Sequence, residues 1–215
     1  MGAYLKTNGM LLTQANVQKL KDVRLMGLEV SLYGAKAETH DRLTAVPGSF
    51  DNICAGLRRA KKVIRNSKAN FVLTRENAEQ IDEMKALAKD MNVEYGMNPQ
   101  ISSRYDGTDT SLINQMTPEQ LHKAYSGPLS DFMPQPCSAD ANVQCGCARG
   151  ICGVGSNGEV YPCIGAPVPS GNIRTQSFKD IWTTSETLVK IRKLKLDLFC
   201  PWSAAILDKL LDMAK

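Results

Sequence analysis

The chain has 215 residues, of which 43% are hydrophobic, so it can bury the core of one large domain or of two small ones. Its formal net charge of +4 is spread along the sequence, and the densest basic run, residues 58–68, follows a helical pattern typical of a solvated face, which argues against nucleic-acid binding. No apolar stretch approaches the roughly 18 residues of a membrane span, and residues 1–6 lack the apolar core of a secretory signal, so we expect a cytoplasmic protein that contacts no membrane.

Short strands and helices alternate in the first part of the chain. Apolar runs predict strands over residues 3–6, 28–32, 71–74 and 93–95. Apolar residues at helical spacing predict helices over residues 13–23, 49–63 and 77–91. Because strands separated by helical crossovers pair in parallel, we expect an α/β fold whose sheet is covered by helices.

The predicted carboxyl ends of these strands carry polar residues, among them Asn8, Ser31 and Asn77. Parallel sheets bind ligands at this edge, which makes these segments candidates for a binding rim. Asn, Gly and Thr are also ordinary turn residues, so the spacing alone leaves ligand binding and turn formation equally open.

The pattern changes after residue 98. A polar loop precedes a helix that begins after Thr117 with a capping box, and a Pro-rich connection follows at residues 128–136. We therefore predict two domains, residues 1–127 and 128–215.

The second domain is predicted to contain one hairpin and several short helices. Residues 155–161 form the predicted hairpin, in which Asn157 and Gly158 both adopt positive φ. A capping-box pattern at Ser177 opens one helix, and two more are predicted near residues 185–196 and 203–214.

Seven cysteines are unusual for a chain of this size. Cys54 stands alone in a predicted helix, where we expect a small buried hydrophobic side chain. The other six all follow residue 136: Cys137, Cys145, Cys147, Cys152, Cys163 and Cys200. In a chain without an export signal, such clustering favours metal or cluster ligation over disulfides.

The predicted hairpin should bring Cys152 and Cys163 together, because a hairpin returns the chain to its starting point. Cys145 or Cys147 can join them from the preceding loop, and Cys200 can supply a fourth thiolate. Four thiolates suit either a [4Fe–4S] cluster or a structural Zn²⁺. Zinc ribbons usually pair two Cys-x-x-Cys knuckles, which this sequence lacks, so the spacing favours the cluster and leaves zinc, or no metal, as alternatives.

Several motifs occur in a characteristic order. In the first domain they are TNGMLL (7–12), VSLYG (30–34), ETHDRL (38–43) and VPGSF (46–50). In the second domain they are Cys152, GEVYPC (158–163), GNIR (171–174) and FKDIW (178–182). With these motifs, residues 3–200 resemble the radical S-adenosylmethionine enzymes that carry a C-terminal SPASM-type auxiliary-cluster domain.

This resemblance implies a partial (β/α)₆ barrel, followed by a small Cys-rich domain with a β-hairpin and helices. It implies an auxiliary [4Fe–4S] cluster held by Cys147, Cys152, Cys163 and Cys200, with Cys145 as a candidate further ligand.

By the same matching, Asn8 and Ser31 would lie near the sugar and methionine parts of S-adenosylmethionine, and Arg42 and Asn77 would be further contacts. The structural alternatives are that Asn8 caps a turn, that Ser31 fills a strand end, and that Asp41 and Arg42 form a helix-end ion pair.

The sequence also departs from the family. The Cys-x-x-x-Cys-x-x-Cys loop that binds the cofactor-cleaving cluster is absent from the 215 residues, and by comparison roughly the first two β-α units are missing. We therefore expect this polypeptide to be inactive alone, and no catalytic residue is assigned.

The resemblance implies that the parent enzyme modifies a peptide through hydrogen abstraction by a 5′-deoxyadenosyl radical, with a separate electron donor as a candidate partner. A haem-pathway or other tailoring enzyme, acting on a small molecule, is the first alternative. A non-enzymatic zinc or iron–sulfur binding module is the second.

Overall fold

The computed structural model describes residues 3–101, 108–132, 146–164, 166 and 168–193. Its described residues fall into two compact units, one made of 3–101 and 109–132 and the other containing 146–164 and 168–193. Leu129 is buried in the core of the first unit, and the domain boundary after residue 127 stays a prediction. Within these described ranges, none of the helices combines the length and the apolarity that a transmembrane span requires.

The first unit is built on a sheet of four parallel strands in the order β1-β2-β3-β4. The strands are β1 (Tyr4–Thr7), β2 (Gly27–Leu32), β3 (Ser67–Val72) and β4 (Glu94–Asn98). The helices are α1 (Gln14–Asp22), α2 (Ala37–Thr44), α3 (Ser49–Lys61), α4 (Ile81–Asp90) and α5 (Pro118–Tyr125). The predicted α/β class with a parallel sheet is confirmed.

One face of this sheet is apolar and carries the helices. Val30, Leu32 and Phe71 are fully buried there, and Leu57 of α3 packs in the same core. Alternate residues of a strand point to opposite faces, so the residues between them lie on the other face, which is polar. Of the four candidate cofactor residues, Ser31 lies on this polar face and Asn8 follows β1 beside it, whereas Arg42 lies on α2 and Asn77 follows β3.

Two predicted elements of the first unit differ from the structure, and one helix of the structure is absent from the prediction. Strand β3 begins at Ser67 instead of residue 71, because Ser67 is buried and Lys68 and Asn70 lie on the polar face, so the hydropathy pattern does not indicate a strand there. Helix α2 was not predicted as an element; it is short, and no side chain caps its N-terminus at Lys36. The helix predicted over 77–91 begins as a 3₁₀ turn at Ala78–Gln80.

The second unit contains a short antiparallel hairpin of β5 (Gly153–Val154) and β6 (Val160–Tyr161), followed by α6 (Phe178–Thr184) and α7 (Glu186–Lys193). Its predicted turn is wrong in one respect: Gly158 has a φ of 87°, whereas Asn157 does not adopt positive φ. The five residues between the strands are too many for the two-residue turn that needs two positive φ angles. The helix predicted over 203–214 lies outside the described residues.

Candidate functional site

The polar face of the sheet brings Asn8 and Ser31 to one level. Thr7 pairs with Val30, so Asn8 leaves β1 beside Ser31, and Ser31 in turn pairs with Asn70 of β3. Asn8 is exposed and Ser31 is half-buried. The Asn8 side chain also accepts a hydrogen bond from Met10 N at 3.2 Å, so the turn-capping role is present in the structure.

Sequence reasoning missed further polar residues of this face. Glu29 pairs with Lys68 in the strand register and forms an ion pair with Lys6 at 3.0 Å. Lys68 was assigned to a solvated helix face, but it lies in β3 and its side chain runs over Gly96, where a Cβ atom would meet Lys68 Nζ at 2.9 Å. A strand predicted to begin at Ser67 would have revealed it.

Arg42 lies on the exposed side of α2 and pairs with Glu76, with 3.0 Å between Nε and Oε2. The expected ion pair between Asp41 and Arg42 is therefore replaced by another arrangement. Asp41 accepts hydrogen bonds from the backbone N–H groups of Phe50 and Gly48, at 2.9 and 2.6 Å. These bonds, of which the one from Phe50 N has the largest effect, hold the pKa of Asp41 below its usual value. They also fix the start of α3.

Asn77 is fully buried and is bonded entirely to the backbone around two strand ends. Its Nδ2 donates to Tyr33 O and to Val72 O, each at 2.9 Å, and its Oδ1 accepts from Thr74 N at 2.7 Å. Both N–H groups of the amide are thus used within the fold. In this structure Asn77 joins the ends of β2 and β3.

His40 is a second buried residue at this edge that was not singled out from the sequence. Its Nδ1 accepts a hydrogen bond from Tyr33 N at 3.1 Å, and its ring packs against Tyr33 and Phe50. Burial lowers the pKa of His40, and the neighbouring Asp41 opposes this shift. Because Nδ1 accepts, the neutral ring carries its proton on Nε2, which is buried and has no hydrogen-bond partner among the described residues.

Gln80 completes the support of the segment that follows Ser31. Its Oε1 accepts from Ala35 N at 3.0 Å, and its Nε2 donates to Thr39 Oγ1 at 2.7 Å. Residues 33–39 are therefore held by His40, Asn77 and Gln80 together. The segment that follows Ser31 is thus fixed by side-chain hydrogen bonds from three directions.

The second unit gathers three cysteines around one apolar core. Cys147 is fully buried, Cys163 is 7% exposed, and the half-buried Cys152 packs against the same cluster. Gly153 pairs with Tyr161, which brings Cys152 towards Pro162 at the end of the hairpin.

A hydrogen bond of 2.9 Å from Ala148 N to Pro162 O places the Cys147 turn beside Cys163. Burial raises the pKa of the Cys152 thiol, so ligation would have to displace its proton. Within the described ranges, no group of three or more His, Cys, Asp or Glu side chains is arranged to hold a metal ion.

The remaining predicted ligands, Cys200 and Cys145, lie outside the described residues, as does Cys137. The donor chemistry nevertheless fits a thiolate-bound centre, because three thiols share one core. Arg192, which donates to Ala148 O next to Cys147, also has a buried nitrogen without an acceptor among the described residues. The four-ligand set stays a prediction. Cys54 sits apart in α3 as a buried hydrophobic residue, 4% exposed, as expected.

Comparison with known proteins gives three consistent findings. Residues 145–201 match the SPASM family, which is described as an iron–sulfur cluster-binding domain. An AdoMet-dependent heme synthase from Methanosarcina barkeri is 31% identical over 216 residues, which is 87% of this chain and 62% of the relative. Mycofactocin maturase MftC from Mycolicibacterium smegmatis is 28% identical, over 90% of this chain and 54% of the relative.

The fold is similar to part of the SuiB fold from Streptococcus suis. A structure of SuiB bound to S-adenosylmethionine covers 95% of this chain and 53% of SuiB, with a TM-score of 0.63 and 17% identity. A second structure, of SuiB bound to its precursor peptide SuiA, has the same TM-score and 16% identity. This likeness confirms the predicted partial barrel, and the chain spans between about half and three-fifths of the length of these proteins.

Proposed function

We propose that this chain, which belongs to the radical S-adenosylmethionine enzymes with a SPASM domain, supplies part of the cofactor-binding barrel and one auxiliary [4Fe–4S] cluster. The observation that carries the proposal is the shared core of Cys147, Cys152 and Cys163 inside the SPASM match. Cys200 is the proposed fourth ligand, and Cys145 is a candidate further ligand.

The proposed role of the cysteine unit is to hold the cluster in a largely apolar shell. When bound, such a cluster can accept an electron from a substrate or bind the substrate. Cys147 and Cys163 are buried in the core of the second unit, so a cluster bound to them would be shielded from solvent. Cys152 is half-buried with a raised thiol pKa, and its proton must leave when it binds the metal.

The proposed cofactor contacts in the first unit are Asn8 and Ser31, which share the polar face and one level of the sheet. Their amide and hydroxyl groups suit the hydroxyl and carboxylate groups of the S-adenosylmethionine sugar and methionine parts. Arg42 is exposed at this rim, where its guanidinium can bind a carboxylate if its contact with Glu76 opens. We assign Asn77 to positioning, because both of its amide N–H groups are used by the backbone.

The proposed substrate is a peptide. The support comes from the relatives: one is named a mycofactocin maturase, and SuiB was solved with a precursor peptide. A tetrapyrrole is the second candidate, because the 31% identical relative is named a heme synthase. Binding of a precursor peptide or of a tetrapyrrole to the reconstituted protein, measured by calorimetry, separates the two.

We further propose that the 215-residue polypeptide does not cleave S-adenosylmethionine by itself. Cleavage needs an electron from a cluster bound by the Cys-x-x-x-Cys-x-x-Cys motif, which these residues do not contain. The expected result is no 5′-deoxyadenosine by chromatography after incubation with a chemical reductant. Formation of 5′-deoxyadenosine by the purified chain would refute this part of the proposal.

The cluster proposal is tested by iron, acid-labile sulfide and zinc analysis after anaerobic reconstitution. We expect about four irons and four sulfides per chain, the content of one cubane. Cys163→Ala should lose most of this iron because it removes a ligand. Cys54→Ala is the matched control and should retain it, since Cys54 lies in the core of the first unit. Zinc alone, with iron refused on reconstitution, would favour the non-enzymatic metal-binding module.

A further inference from the structure

The turn that contains Cys147 is clamped to the end of α7 by two arginines. Arg192 Nε donates to Ala148 O at 2.6 Å, and Arg149 Nη2 donates to Arg192 O at 2.8 Å. Ala148 in turn donates its backbone N–H to Pro162 O. The Arg192 guanidinium therefore lies against the residue that follows Cys147 and that contacts the residue before Cys163.

The environment of Arg192 is unusual for a cation. Its guanidinium carbon lies 4.6 Å from the centre of the Trp182 ring, and its Nη2 is buried without a hydrogen-bond acceptor among the described residues. Guanidinium stays charged when buried. A buried charged donor without an acceptor is costly, so this nitrogen points to an acceptor that the protein atoms described here do not supply.

We propose that Arg192 is the cationic partner of the auxiliary cluster, with Nη2 donating a hydrogen bond to a sulfur atom of the cluster or of a ligating thiolate. This inference rests on the proposed function, because it requires the cluster to occupy the core around Cys147 and Cys163. The guanidinium is held at that core by the hydrogen bond from Nε to Ala148 O and by its contact with the Trp182 ring.

The consequence is a higher reduction potential of the cluster. Each added electron makes a thiolate-bound cluster more negative, so a nearby positive charge and a hydrogen bond to sulfur stabilise the reduced state. The effect is strengthened by the low dielectric of a buried site. Arg192 is thus a positioning residue for electron transfer to the cluster and need not contact the substrate.

The test is a redox titration of the reconstituted protein, followed by the electron paramagnetic resonance signal of the reduced cluster. Arg192→Gln removes the charge, and Arg192→Lys keeps the charge but loses the planar guanidinium donor. The matched control is Arg174→Gln, which removes one positive charge from the same unit. Arg174 is exposed and donates to Ser156 O at the hairpin turn, away from the cysteines.

We expect the potentials to fall in the order wild type, Arg192→Lys, Arg192→Gln. The reduction equilibrium of Arg192→Gln should be at least about tenfold less favourable than that of the wild type, which is about 59 mV for one electron. Arg174→Gln should shift by much less. If Arg192→Gln fails to hold iron, the inference is tested with Arg192→Lys, whose reduction potential should fall by more than that of Arg174→Gln.

Equal potentials for the wild type and the Arg192 variants that hold iron would overturn the inference. That outcome is distinct from failure of the proposed function, which would already be evident as a wild-type protein that takes up no iron. A purely structural role for Arg192 would lower iron content or stability and would leave the potential of the intact cluster unchanged.

Discussion

Replacement of Asn77 tests whether the end of the sheet is preorganised as described. Asn77→Ala removes three hydrogen bonds, to Tyr33 O, Val72 O and Thr74 N. A net hydrogen bond contributes about 1 kcal/mol, and a buried partner left without one costs about 1–3 kcal/mol. Because Asn77 is fully buried, we expect the free energy of unfolding of the first unit to fall by about 3–5 kcal/mol.

The assay is urea denaturation followed by far-ultraviolet circular dichroism. Both tryptophans, Trp182 and Trp202, follow residue 145, so their fluorescence reports on the second part of the chain and serves as an internal reference. The control variant is Asn8→Ala. Asn8 is exposed, and among the described residues its side chain accepts a single hydrogen bond, from Met10 N, so its replacement should cost less than about 1 kcal/mol.

Two results would refute the reasoning. If Asn77→Ala destabilises the first unit no more than Asn8→Ala does, the buried amide does not join the strand ends in solution. If tryptophan fluorescence shifts as much as the dichroism does, the loss is not local to the first unit.

Two further predictions concern titratable groups. Burial holds the pKa of His40 below its reference value of 6.5, so the unfolded chain binds a proton more readily, and the stability of the first unit should fall as pH drops below about 6.5. This pH dependence, measured by urea denaturation, should be weaker in His40→Phe. An unchanged dependence of stability on pH in this variant would contradict the assignment. Burial also raises the pKa of the Cys54 thiol to about 11, so Cys54 should react slowly with iodoacetamide. After brief treatment of the native, metal-free protein at pH 8, mass spectrometry should find Cys152 alkylated before Cys54. The reverse order would be inconsistent with the packing of α3.

The parts of the fold that could be predicted are those in which local chemistry and tertiary packing agree. Thr117 caps α5 as predicted, and Thr13 caps α1, each by accepting a hydrogen bond from a backbone N–H in the first turn. Ile53 and Leu57 form the buried side of α3. In these segments the side-chain pattern and the packing partner select the same structure.

The parts that could not be predicted depend on partners remote in sequence. Lys68 and Asn70 show no strand pattern in the sequence, and the pairing of β2 with β3 is what turns them to the polar face. Asn77 has the composition of a turn residue, and its bond to Tyr33 O joins positions 44 apart in the sequence. The Asp41 carboxylate likewise accepts a hydrogen bond from Phe50 N, at the start of the next helix. No periodicity encodes such contacts, because only the folded chain brings the groups together.

The two units differ in how the candidate site is related to the apolar core. In the first unit, an apolar core on one face of the sheet supports a separate polar face, so the sheet can keep its shape while Asn8 and Ser31 remain accessible. In the second unit, the candidate ligands are themselves part of the core, since Cys147 and Cys163 pack with Val160 and Leu188. With so small a core among its described residues, this unit would gain stability from a bound metal centre. Ligand binding and folding are therefore expected to be coupled there, whereas in the first unit they are separable.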